Sequence, residues 1–101
     1  MVRRWFRQPE AGPPWAEKLN MYHYVYVLQN KNGELYKGST DDLRKRKADH
    51  NGGKVKSTRK GRPWKLIYYE AFLSKKASKK EELFLKSGKG RERLKFLLNG
   101  T

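Results

Sequence analysis

Residues 24–40 read YVYVLQNKNGELYKGST, and the fold turns on this stretch. Its first arm alternates around Tyr24, Tyr26 and Leu28, its second runs from Glu34 to Ser39, and Asn32-Gly33 lies between them. Period-two alternation marks a strand, and an Asn-Gly pair supplies the positive φ angles of a tight turn, so the stretch predicts a β-hairpin. The far end of the second arm is unusual. Tyr36-Lys37-Gly38 places a lysine and a glycine in a strand, directly before a very basic segment.

Working outward, Ser39, Thr40, Asp41 and Asp42 are helix-start residues and Asn51-Gly52-Gly53 is a stop, which predicts a helix over about 41–50. KVKSTRKGRPW, residues 54–64, reads as a basic loop, and the apolar, aromatic KLIYYEAFL, residues 65–73, as a strand. A second helix begins at the capping Ser74 and stops at Ser87-Gly88. GRERLKFLLNG, residues 90–100, predicts a third, with Leu94, Leu97 and Leu98 on one stripe. The order β-β-α-β-α-α, without an internal repeat, predicts a small α/β fold: a three-stranded antiparallel sheet flanked by helices.

Residues 1–20 have a different texture. Pro9, Gly12, Pro13 and Pro14 interrupt any periodicity, and Trp5, Phe6 and Trp15 are scattered, so they read as a loose or locally packed extension before a domain over 21–101. Met21 offers an alternative start. The extension holds four basic and two acidic residues, so +13 of the net +15 belongs to residues 21–101.

Composition narrows the function classes. A chain of 101 residues with 36% hydrophobic content and a mean hydropathy of −1.07 builds one modest core, to which 13% aromatics contribute large buried areas. The absence of cysteine excludes disulfides and thiolate metal sites, and no apolar run approaches the roughly 18 residues of a membrane span. Arg3, Arg4 and Arg7 are not followed by the apolar stretch of a signal peptide, which makes a cytoplasmic location the expectation. With 25 Lys and Arg against 10 Asp and Glu, the field attracts polyanions, nucleic acid first.

Two helices carry polar residues where apolar ones belong. From Leu43, the same-face positions are Arg46, Lys47 and His50, one turn beyond the polar end of the hairpin. That stripe suits a weakly packed helix whose long side chains snorkel, or a phosphate site at a helix that follows a Tyr-Lys-Gly strand end. In the second helix Glu81 and Glu82 stand among Lys75, Lys76, Lys79, Lys80 and Lys86. Glu82 is positioned as an i,i+4 partner of Lys86, or as the single carboxylate through which Mg²⁺ is commonly held.

Taken together, Tyr24-Val25-Tyr26, Tyr36-Lys37-Gly38, Arg46 with His50, and Glu82 in EELFLK resemble the GIY-YIG endonuclease superfamily. The resemblance covers residues 22 to about 97 and is strongest to small stand-alone bacterial members, similar to the nuclease domain of the excinuclease C subunit. It implies a metal-dependent endonuclease that hydrolyses phosphodiesters in DNA, branched or single-stranded forms included, with RNA left open. By the resemblance, Tyr26 deprotonates or positions the attacking water, Tyr36 hydrogen-bonds in the same site, Arg46 neutralises the scissile phosphate, and His50 handles a proton. Glu82 would bind Mg²⁺ or Mn²⁺, and Gly38 would let a backbone approach closely.

Three departures from the family pattern stand out, one being that the asparagine some members carry after the glutamate has no counterpart here, Asn99 lying too near the terminus. The first triplet reads Tyr-Val-Tyr, which keeps the functional tyrosine. The second has Lys37 in place of an aliphatic residue. As the strand neighbour of Tyr36, Lys37 points to the opposite face and is a candidate nucleic-acid contact, with Gly38, Lys47 and, in the basic loop, Lys54, Lys56, Arg59 and Lys60. A phenol ionises near pH ~10, so the positive charge of Arg46, Lys47, His50 and a metal is expected to lower the pKa of Tyr26. The competing function is a nucleic-acid-binding module on the same fold without cleavage. Retention of a lone glutamate in a phosphate-binding face favours the enzyme.

Overall fold

The computed structural model describes residues 22–99; the extension over 1–20 lies outside them. The hairpin forms from β1 (His23–Gln29) and β2 (Leu35–Thr40), paired antiparallel from Tyr24↔Thr40 to Gln29↔Leu35. The turn is wider than the tight Asn-Gly turn expected. Asn30 folds over it: its backbone pairs with Glu34, its carbonyl accepts from the Gly33 amide at 3.0 Å, and its side chain bridges to Asn32 and Glu34. Gly33 takes the left-handed region, at φ 82°, a conformation that costs glycine little. Asn30 is buried at 6% exposure, and its amide accounts for the loop length.

Third in sequence, β3 (Lys65–Phe72) adds to the other side of β1, giving the order β2-β1-β3, all antiparallel. The first strand is therefore central, and Val25, Tyr26, Val27 and Leu28 are all buried. Its alternation separates two clusters rather than core from solvent. Val25 and Val27 pack with Tyr68, Leu85 and Leu94; Tyr26 and Leu28 pack with Leu43 and Trp64. A register shift between Val27 and Leu28 leaves Ile67 as an extra residue of β3, so Ile67 and Tyr68 both serve the first cluster.

Helix α1 (Leu43–Asn51) lies on the tyrosine face, and α2 (Lys75–Leu85) and α3 (Gly88–Asn99) cover the valine face. Asp42 caps α1 by accepting from the Lys45 amide, and Ser74 caps α2 through the Ala77 amide. Ser87-Gly88, expected only as a stop, also starts α3: Ser87 accepts from the Gly90 amide at 3.1 Å. A Cβ on Gly90 would collide with the backbone of Phe84, so this glycine sets how closely the two helices meet. The expected basic loop contains a 3₁₀ turn, Lys56–Gly61, clipped down where Asn51 bonds both backbone groups of Trp64 and the Trp64 indole donates to the Thr58 carbonyl.

Candidate active site

Four of the expected residues converge on the tyrosine face. Cross-strand pairing Tyr26↔Gly38 and Leu28↔Tyr36 sets Tyr36 diagonally beside Tyr26, with ring centroids 6.3 Å apart. The next helix brings up His50, whose ring lies 4.8 Å from that of Tyr36 and whose Nε2 is 2.9 Å from the Tyr26 hydroxyl. Arg46, one turn earlier and half-buried, donates a hydrogen bond to the same hydroxyl. The polar stripe of α1 is thus turned inward: Leu43 and His50 are its buried residues.

Gly38 is buried, and what approaches it is Tyr26. A Cβ at Gly38 would stand 2.6 Å from the Tyr26 hydroxyl oxygen. The close approach that Gly38 permits is made by a side chain: its missing Cβ leaves the space beside which the phenol head sits.

The electrostatics also depart from expectation. Tyr26 is pushed up to about 12 rather than lowered, because burial outweighs the hydrogen bond from Arg46. The physical reason is that desolvating a phenolate at 2% exposure costs more than one half-buried guanidinium returns. His50 is shifted down by burial and by the Arg46 charge, so it is neutral near pH 7. Its Nδ1 lies 2.7 Å from the Thr58 hydroxyl, which in turn reaches the Val55 carbonyl at 3.4 Å. With Thr58 donating to Val55, its oxygen accepts from Nδ1–H, leaving Nε2 bare to accept from Tyr26 O–H.

Glu82 stands apart from this group. Its Oε1 accepts from the Ser39 hydroxyl at 2.7 Å, and Ser39 shares the face of Val25, opposite the tyrosines. Lys86 at 3.0 Å and Lys79 at 3.6 Å flank the carboxylate. Burial raises its pKa, but the bonds from Ser39 and Lys86 prevail and hold it below the usual carboxylate range. The anion is still near enough to Tyr26 to oppose ionisation of the phenol. Among the described residues no three His, Cys, Asp or Glu side chains gather as a metal cage. An ionised, hard oxygen donor suits a cation that takes one protein carboxylate and completes its shell with water and phosphate.

The candidate phosphate contacts divide into two groups. Lys54, Lys56, Arg59 and Lys60 are exposed on the segment after α1, with Arg59 tethered to the Gly53 carbonyl at 2.9 Å, and Lys47 follows Arg46 on the helix. Lys37 faces the other way, near Lys86 and Arg91. The sequence reading missed Thr58 and Ser39. Thr58 is 1% exposed inside a basic run, and nothing in the sequence sets it apart from the adjacent Ser57; Ser39 reads in the sequence as a helix-start residue.

Comparison with known proteins places the chain in a family. The family model described as the GIY-YIG catalytic domain matches residues 22–95. A UPF0213 protein of Bacillus pumilus is 46% identical over 66 residues, which cover 64% of this chain and 67% of the relative. One from Staphylococcus saprophyticus is 37% identical over 79 residues, covering 77% and 96%. The solution NMR structure of a UPF0213 protein from Bacillus halodurans, 38% identical, covers 79% of this chain and 88% of that one with a TM-score of 0.50. Among the described residues, no helix is long and apolar enough to cross a membrane.

Proposed function

The chain belongs to the GIY-YIG catalytic-domain family, and from that membership we propose that it is a divalent-metal-dependent endonuclease that hydrolyses DNA phosphodiesters, nicking or acting at structured sites. One observation carries the reading: a single buried phenol, Tyr26, meets a guanidinium and a neutral imidazole at its hydroxyl. A structural tyrosine needs one hydrogen-bond partner; this one has a cation and a proton acceptor.

The residues divide the work. Arg46 and Tyr36 are half-buried and are the first members of the cluster a substrate meets. As the scissile phosphate draws the Arg46 guanidinium onto itself, the Tyr26 hydroxyl is uncovered to water. Tyr26 takes a proton from that water while passing its own to Nε2 of His50, so the raised pKa of the phenol ceases to be an obstacle. The water oxygen bonds to phosphorus, the bond to the leaving sugar oxygen breaks with its electron pair, and Arg46 meets charge developing on the phosphoryl oxygens. Thr58 holds the imidazole in the tautomer that accepts. Glu82 would hold Mg²⁺ or Mn²⁺, which when bound supplies Lewis-acid stabilisation of the same charge.

A second reading, a nucleic-acid-binding module without cleavage, draws on the three partners already satisfying Glu82. Incubation of supercoiled and branched DNA with Mg²⁺ or Mn²⁺ separates the two. Nicking by the wild type, reduced by ~10²-fold or more in Glu82→Ala, is the expected result. Undiminished nicking by Glu82→Ala removes the carboxylate from the reaction. Salt-sensitive binding with no cleavage of any substrate favours the binding module.

A further inference from the structure

On the valine face, away from the tyrosines, a groove of about 480 Å³ runs between the hairpin end of the sheet and α3. Leu35, Ile67, Leu94 and Leu98 form an aliphatic floor, and Lys37, Arg91 and Lys95 stand around it with no carboxylate in the lining. Four lysines elsewhere among the described residues pair with acids: Lys45 and Lys54 with Asp49, and Lys79 and Lys86 with Glu82. Arg91 instead donates to the Lys86 carbonyl at 3.1 Å, which brings its charge to the groove without neutralising it. Burial, and then the charges of Arg91 and Lys86, push the Lys37 ammonium below the usual lysine range. Like charges held together over an apolar floor are a cost that a bound anion with an apolar part removes.

We propose that this groove binds an unpaired stretch of nucleic-acid strand, with phosphates on Lys37, Arg91 and Lys95 and a base against the aliphatic floor. A duplex keeps its base faces stacked inside and offers nothing to Leu35 or Leu98, whereas an unpaired strand can turn a base outward. The location connects the groove to the tyrosine site. Tyr36 and Lys37 are neighbours on the edge strand β2 and point to opposite faces, so one strand crossing that edge touches both. The inference rests on the nuclease reading for the identity of its polyanion, and it directs the enzyme toward substrates in which paired and unpaired DNA adjoin.

The test reads binding, without metal and without cleavage. A short fluorescent oligothymidylate is titrated by anisotropy at several salt concentrations against wild type, Lys95→Gln and Arg91→Gln/Lys95→Gln. Both replaced residues are exposed, and circular-dichroism melting verifies that the variants fold. The double variant is expected to bind about tenfold more weakly at low salt, with the slope of log K against log salt reduced by ~1.4, and the single variant by ~0.7. Amide shifts on adding the oligonucleotide should include residues 35–37 and 91–98. Unchanged slopes, or shifts confined to the tyrosine face, overturn the proposal. Complete competition by a free mononucleotide overturns its strand form. A protein that cuts no DNA yet shows these slopes and shifts retains the groove and loses only the nuclease reading.

Discussion

Tyr26 and Tyr68 make a controlled comparison within one molecule. They lie on adjacent strands, each is 2% exposed, and they point to opposite faces of the sheet. Burial raises the pKa of both. Their neighbours then pull in different directions. Tyr68 faces Glu70, whose charge and hydrogen bond raise it further, with Arg93 only partly opposing. Tyr26 meets Arg46, which draws it back to about 12, and His50, which can accept its proton. Depth of burial does not distinguish the two tyrosines; the charge and proton affinity at the hydroxyl do.

The sharpest way to break the comparison is to remove each hydroxyl. Tyr26→Phe should lower the nicking rate by ~10²–10⁴-fold. Tyr68→Phe should leave the rate per folded molecule unchanged, and a comparable loss in both would make Tyr26 a packing residue. Truncation of the other core reverses the pattern: Leu85→Ala, at 1% exposure between α2 and the sheet, should cost ~2–5 kcal/mol in denaturant unfolding with catalysis retained. Gly38→Ala tests the boundary between the faces. Its methyl would stand 2.6 Å from the Tyr26 hydroxyl oxygen, and a displacement of about 1 Å there should cost ~10²-fold in rate, more than its effect on unfolding would account for.

The smallest effects are in pH. Tyr26 in the fold sits at about 12 against 10.0 for a free phenol, so its contribution to stability is complete below pH 10 and is lost as pH rises toward 12. Ultraviolet titration should show one fewer late-ionising tyrosine in Tyr26→Phe. His50 behaves oppositely, being depressed below 6.5: the unfolded chain takes up the proton first, and stability falls as pH drops below 6.5 through the depressed value. An imidazole titration by NMR that places His50 at or above 6.5 contradicts this and the neutral-acceptor role.

Much of this was legible because it is local. The hairpin arms follow from alternation, the starts of α1 and α2 from Asp42 and Ser74, and the inward polar stripe of α1 from the spacing of Leu43, Arg46 and His50. The family motif located Tyr26, Tyr36, Arg46 and His50, and the fold brings these four together. Thr58 was hidden because KSTRKG has the composition of a solvated loop, and nothing in those residues announces that Asn51 and Trp64 fold the segment over His50. Glu82 was legible as a residue but not by side. A helix pattern reveals which residues share a face, not which side of a distant sheet that face will cover.

The sequence by itself determined the main elements, their order, the polyanion-attracting charge and the candidate site residues, all of which are written along the chain. Only the tertiary structure decided that β1 is buried on both faces and that Gly38 is the berth of a phenol. It alone set Glu82 against Ser39 on the edge strand, within electrostatic reach of Tyr26, and gathered Lys37 with Arg91 and Lys95 over an apolar floor. It also reversed the sign expected for Tyr26, since counting nearby cations predicts a lowered pKa and desolvation raises it. Charge is written residue by residue in a sequence, whereas burial is a property of whatever the rest of the chain folds around each residue.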